Sequence, residues 1–199
     1  MLDSVGYRAL FQRYENWMKL YFGHCETLLS SRDVIIDEKL DRRAKKIIAS
    51  HAAPRRPETG LDEDAEWKRI SMFEREEARS GAAGVNNLLI LTGMKEATFD
   101  PEKWNELISD EKLLNALAET EHMRWCAFLM MRGIKKWPLS EVGDDDQKPN
   151  DIRKHMRHAA LTDFRNLPEV DRRFGRDPDS LQRNKRQFIQ RLPDIIQTK

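Results

Sequence analysis

Ser109-Asp110-Glu111-Lys112, then LLNALAETEHMRWCAFLMM over 113–131 and finally Arg132-Gly133, is the stretch whose reading decides the fold. Ser109 and Asp110 are residues that accept from the free backbone N–H groups of a first helical turn, and Gly133 is the residue type that ends a helix in a left-handed conformation. Between them Leu113, Leu117, Thr120, Met123, Ala127 and Met130 or Met131 recur at helical spacing, which predicts one long helix with these positions on its packed face. Within it, Ala118-Glu119-Thr120-Glu121-His122-Met123-Arg124-Trp125 places an acid, an imidazole, a guanidinium and an indole in five consecutive residues, Glu121 to Trp125. Positions three or four apart share a helical face, so Glu121 and Trp125 point one way and His122 and Cys126 lie on an adjoining side. A buried Glu121 or Arg124 needs a partner, for which Arg79 or Glu76 of a preceding helix is expected. Such a cluster builds either an ionic core between helices or the polar wall of a pocket.

Helical periodicity continues outward in both directions, and no alternating strand-like run bounded by turn residues stands out. The expected architecture is all-α, a multi-helix bundle with at most one small β-hairpin. A first helix is predicted from Asp3 or Ser4 to about Leu29, with Leu10, Tyr14, Trp17, Met18, Tyr21 and Leu28 as its apolar stripe. A second starts near Asp37 and carries Leu40, Ala44, Ile47 and Ile48 on one face. Pro54, Pro57 and Gly60 make the stretch from Ala52 to Glu66 a loop, dividing an N-terminal helical region and linker (1–66) from the remainder (67–199). From Trp67 to Thr92 the spacing predicts a bent helix, weakened by Gly81 and Gly84, which admit close approach of another backbone. Asp100-Pro101-Glu102 opens a short helix through Trp104 and Ile108. An exposed connection with a small hairpin is expected over Lys135 to Asn150, a short helix over Asp151 to His158, and a last helix from Asp179 to Gln197 disturbed by Pro193.

Composition limits the function classes. The chain has 199 residues, 35 Lys+Arg against 34 Asp+Glu and a formal net charge of +1, so no global field directs it to nucleic acid or an acidic membrane. Cys25 and Cys126 stand far apart without a signal-like apolar segment, which fits a reducing cytoplasm rather than a disulfide framework. The densest apolar run is only Leu88-Leu89-Ile90-Leu91, far short of a membrane span.

Three blocks carry a resemblance. Trp67 to Arg79 with Leu88 to Met94 forms the first, and Leu117 to Trp125, closed by Gly133, the second. The third is Asn150-Asp151, Lys154 and His158 to Pro168, with a terminal piece from Arg186 to Pro193. In that order they resemble bacterial members of the RyR domain (ryanodine-receptor repeat) family, over about two thirds of the chain. The chain departs from the family pattern where Gly133 is followed by Ile134, with Trp137 slightly later, and at Ala78 and Ala159. The resemblance implies a mostly helical module that senses or binds a ligand and carries no catalytic activity or cofactor. It also implies a nucleotide-binding or membrane partner domain, upstream or separate, since bacterial members often follow a Rossmann-type domain and animal repeats accommodate adenine nucleotide. The ligand-binding residues it suggests are Arg79, Arg124 and Lys154 for anionic oxygens, Trp125 for stacking, and Glu76, Glu121 and His122 for hydroxyl or base edges, with His158 from the third block.

Other chemistry is weakly supported. There is no GxGxxG after a strand and no P-loop. His122 and Cys126 have a spacing that suits two metal ligands, but His24, Cys25, His155 and His158 offer no paired short spacing to complete a zinc site, so no metal is expected. The same pair has neither an oxyanion hole nor an orienting group to serve as a nucleophile. A helical scaffold that dimerises through the aromatic N-terminal helix is the alternative to the sensor. A third reading is nucleic-acid binding through the basic C-terminal segment, where Arg172, Arg173, Arg176, Arg183, Lys185 and Arg186 are interleaved with few aromatics.

Overall fold

A computed structural model describes residues 39–52, 62–143, 146, 148–151 and 155–196. Among them are eight α-helices and three two-residue strands. The chain is all-α in character, a helical bundle with a minimal sheet. The predicted helix from Asp3 or Ser4 to Leu29 lies outside the described residues.

Helix α1 (Lys39–Ala52) carries Ala44 and Ile47 into the core and packs along α3 (Met72–Leu91). Between them α2 (Glu63–Arg69) buries Trp67. The sequence predicts one bent helix here, with glycines at the bend; the structure instead breaks the chain at Ile70–Ser71, both extended (ψ 154° and 162°). The cause is a capping box. Ser71 Oγ accepts from the Glu74 N–H at 3.2 Å, while the Ser71 N–H donates to Glu74 Oε2 at 2.7 Å, so a new helix starts where the old one would have continued. Arg75 reaches back and donates to the carbonyls of Trp67 and Lys68, closing α2.

The long helix is α5 (Glu111–Met131), preceded by the short α4 (Pro101–Leu107). Asp100 and Asp110 cap them as their sequences predict, each accepting from backbone N–H groups of the first turn. Gly133 (φ 77°) ends α5: its N–H donates to the Met130 carbonyl and that of Ile134 to Leu129, with Ile134 and Leu129 in apolar contact. The packed face differs from the expected one. Leu114, Leu117, Ala118, Glu121, His122, Arg124, Ala127, Phe128 and Leu129 are buried, whereas Met123, Met130 and Met131 are exposed. The polar cluster therefore faces the interior.

Beyond α5 the strands β1 (Lys135–Lys136), β2 (Asn150–Asp151) and β3 (Arg157–His158) form a sheet of order β1-β3-β2, β3 running parallel to β1 and antiparallel to β2. Of the short helix expected over Asp151 to His158, His155 is helical, Asp151, Arg157 and His158 are strand residues, and 152–154 lie outside the described residues; β1 pairs with β3 rather than closing a hairpin near Asn150. The sheet fixes His158 beside Asn150, its Cα partner across the ladder. Helix α6 (Leu167–Arg173), which the sequence reading passes over, leads through Gly175 (φ 63°) to α7 (Ser180–Gln190). The expected last helix is divided at Arg191, and Pro193 sits in the first turn of α8 (Leu192–Ile196), where a missing N–H costs no helical bond.

α1, α3, α5, α6, α7 and α8 all contribute to one hydrophobic core, in which Trp104 of α4 is fully buried and donates from Nε1 to the Ile189 carbonyl at 3.1 Å. No helix among the described residues is long and apolar enough to cross a membrane.

Candidate functional site

Arg124 occupies a notch that α3 leaves open. A Cβ at Gly84 would stand 2.5 Å from Arg124 Cδ, so the glycine admits a side chain, not the second backbone expected from the sequence. Within the notch the guanidinium donates through Nε and Nη2 to the two oxygens of Glu121, at 2.7 and 2.6 Å, and through Nη1 to Ser80 Oγ at 2.6 Å. Both members of the pair are 4 % exposed. Burial works against the Arg124 charge, but the Glu121 carboxylate beside it prevails and holds the guanidinium pKa above its ordinary value.

The expected partnership of Arg79 with this cluster is not formed. Arg79 forks onto Asp41 of α1 at 2.6 and 2.7 Å and donates to Glu76 at 2.6 Å, with its guanidinium 5.3 Å from the Trp67 ring centroid. Glu76 also pairs with Arg132. These residues tie α1, α3 and the end of α5 together and line neither cavity described below. The i, i+3 spacing lets Arg124 find Glu121 on its own helix, which leaves Arg79 free to bridge elsewhere. Lys154 lies outside the described residues.

Trp125 is the pivot of the site. Its indole N–H donates to Glu77 Oε1 at 2.6 Å, its ring stacks near His122 (5.8 Å, 26° between planes), and His158 meets it edge-on at 5.0 Å. The Lys185 ammonium of α7 lies over the same ring, 4.7 Å from the centroid. A flat ligand could stack on Trp125 only by displacing one of these groups, so the ring as placed is a wall rather than a vacant stacking platform.

Two adjoining cavities meet at this wall. The larger, about 540 Å³, lies between α1, α2, α3, α5 and α7 and includes Glu66, Arg69, Glu74, Glu77, Glu121 and Arg124 in its lining. The smaller, about 240 Å³, is bounded by His122, His158, Arg176, Leu181 and Asn184. Trp125, Asn150 and Lys185 belong to both. The sequence-predicted residues thus divide, with Glu121 and Arg124 on the large cavity, His122 and His158 on the small one and Trp125 between.

The large cavity mixes carboxylates with the cations Arg69, Arg124 and Lys185. The lining of the large cavity carries four carboxylates, of which Glu121 is held by Arg124, Glu66 by Arg69 (3.0 Å) and Glu74 by Ser71. Among the described residues the small cavity has Arg176 and Lys185 and no carboxylate in its lining, with Arg176 paired to the buried Asp171 at 3.5 Å. Its histidines are neutral: burial first, with the nearby Lys185 charge adding to it, lowers the pKa of His158 to about 4. For His122, burial outweighs its bond to the Thr162 carbonyl (2.8 Å) and again gives about 4. Lys185 is also pushed below its ordinary pKa by burial, against the opposing pull of Glu121 and Glu77. No ion pair or hydrogen bond to its ammonium occurs among the described residues.

No known protein family, curated protein or solved structure matches the chain.

The site's remaining chemistry is modest. Burial raises the Cys126 thiol to about 12, so it stays protonated, 3.5 Å from His122 Nε2. Among the described residues no three His, Cys, Asp or Glu side chains are grouped to hold a metal ion. Sequence reasoning missed Glu77, Asn150, Arg176, Asn184 and Lys185 as site residues. Asn150 and Lys185 stood in segments already singled out, but no local spacing links them to Trp125; only the sheet and the packing of α7 on α5 bring them there.

Proposed function

We propose that this protein is a non-enzymatic ligand-binding or sensor module of the RyR-domain type, taking a small anionic ligand such as a nucleotide or nucleotide derivative in the paired cavities around Trp125. One observation carries the reading: a cavity lined by Arg176 and Lys185, with no carboxylate and with neutral histidines, adjoins a larger chamber across an aromatic wall. An anion entering the small cavity would meet two cations, Arg176 paired with Asp171 and Lys185 with no counter-ion among the described residues, and Asn150 and Asn184 as hydrogen-bond donors. The Glu121-His122-Met123-Arg124-Trp125 block that underlies the family resemblance contributes to both cavities. The protonated Cys126 thiol agrees with a role without nucleophilic chemistry.

A thermal-shift series with adenine, guanine and cyclic nucleotides tests it. Binding to the folded state raises the melting temperature in proportion to the logarithm of ligand concentration, and Lys185→Met and Arg176→Met should each reduce that rise. The reading fails if none of these compounds shifts the wild-type protein. A second reading, contact with another protein chain in a scaffold, draws on the exposed Met123, Met130 and Met131 of α5. Light scattering should then show an oligomer that Met130→Glu dissociates, and a monomer at all concentrations would dismiss self-association.

A further inference from the structure

The ligand's polarity can be taken further, on the basis of the paired-cavity reading above. Two groups at the Trp125 wall retain unused capacity. Glu77 spends one carboxylate oxygen, Oε1, on the Trp125 N–H, and no hydrogen bond to its Oε2 occurs among the described residues. Lys185, over the ring, has no carboxylate within ion-pair distance among them. The first lines only the large cavity and the second lines both. The other carboxylates of the large chamber already have partners in Arg124, Arg69 and the Ser71 cap. What remains among the described residues is an acceptor on the large-cavity side of the wall and, at the wall itself, the Lys185 ammonium, with Arg176 beyond it in the small cavity, paired with Asp171 (3.5 Å).

We propose that the site selects a bipolar ligand, whose anionic group sits in the small cavity against Lys185 and Arg176 and whose other end presents an N–H or O–H donor to Glu77 in the large cavity. A phosphomonoester joined to an amine-bearing ring system has that character. A molecule anionic at both ends does not, because its second charge would enter a chamber whose Arg124 and Arg69 are already held by Glu121 and Glu66 and where Glu77 presents an unpaired carboxylate oxygen. Lys185 is the shared element: drawn toward the anion, its ammonium moves off the Trp125 face, leaving that face for the ligand's ring. Glu77 acts as a specificity residue and, through the indole N–H, also as the group that orients Trp125.

The test is isothermal titration of the full chain with AMP, purine riboside 5′-monophosphate, adenosine and inorganic phosphate, on wild type, Lys185→Met and Glu77→Gln. The glutamine keeps an oxygen to accept from Trp125 but removes the charge that favours a donor-bearing ring. AMP should bind more tightly than purine riboside 5′-monophosphate, whose ring carries no N–H donor, and more tightly than adenosine or phosphate. A lost charge-assisted hydrogen bond corresponds to roughly ten- to a hundredfold in affinity, so Lys185→Met should bring AMP down toward adenosine, and Glu77→Gln should bring the ratio of AMP to purine riboside 5′-monophosphate affinity toward one. Trp125 fluorescence, identified by its loss in Trp125→Phe, should change with AMP and not with phosphate alone. If AMP and purine riboside 5′-monophosphate bind equally to wild type, or Glu77→Gln leaves their ratio unchanged, the bipolar assignment is overturned while the anion-binding reading stands. Absence of binding by all four compounds overturns both.

Discussion

Arg124 and Glu121 form a bidentate ion pair at almost complete burial, and its worth depends on how it is broken. Removing one member leaves a charge in a medium that solvates it poorly; removing both leaves only a packing problem. Arg124→Met should therefore lower unfolding free energy by about 3–5 kcal/mol, while Arg124→Met combined with Glu121→Leu should recover a large part of it. Urea denaturation of the three proteins measures both, and a double variant as unstable as the single one would contradict the account. The glycines opposite supply a matched pair. At Gly84 a methyl group meets the stem of Arg124 at 2.5 Å, and that stem is pinned by Glu121 and Ser80. At Gly81 the nearest atom is Ile47 Cδ1 at 3.5 Å, an ordinary contact. Helix propensity favours alanine at either position by about 1 kcal/mol. Gly81→Ala should therefore hold or gain stability, and Gly84→Ala should lose about 1–3 kcal/mol to overpacking; thermal melts of the two distinguish them.

At the scale of elements, the boundary between α2 and α3 matters because α3 presents Glu77 and Ser80 to α5. Its angle is set by the Ser71–Glu74 capping box and by Arg75 closing α2. Ser71→Ala removes the N-cap acceptor and should cost about 1 kcal/mol, with amide exchange accelerated in the first turn of α3 and not in α5. Uniform acceleration across both helices would mean that the cap contributes only to global stability. The starts of α4 and α5 and the glycine that ends α5 are legible in sequence because each is a local hydrogen-bond exchange among a few adjacent residues. The division of α2 from α3 is harder to read: Ser71 and Glu74 lie inside an otherwise continuous helical pattern, and the glycines further on offer a more obvious place to bend. The inward face of α5 is misread for a different reason. Periodicity assigns burial to apolar residues, yet here Met123 and Met130 are outside and a mutually satisfied Glu121–Arg124 pair is inside.

Across the whole molecule, the two buried histidines tie stability to pH. His122 and His158, at 2 % and 7 % exposure, have pKa values lowered from 6.5 to about 4, so the unfolded chain binds protons that the folded one refuses. Their contribution is complete above about pH 6.5, falls as pH drops through that value, and is lost by about pH 4. At ~1.4 kcal/mol per unit of displacement each supplies at most about 3.5 kcal/mol. Urea titrations from pH 7.5 to 4 should show the decline, which His158→Gln should shrink. Asp41, whose bond to Arg79 holds its carboxyl below the ordinary value, acts only at lower pH. An unchanged profile in His158→Gln would show that this histidine is not the titrating group. The sequence by itself determined the helical class, the caps of α4 and α5, the Gly133 stop and the cluster from Glu121 to Trp125, because these rest on backbone groups and side chains a few residues apart. Tertiary structure alone decided that Arg124 lies in the Gly84 notch, that Arg79 turns to Asp41, and that Glu77, Asn150, Arg176 and Lys185 converge on Trp125. The physical reason is that a buried charge takes whichever partner the packed helices bring within hydrogen-bond reach, and periodicity along one chain contains no information about which helix that will be.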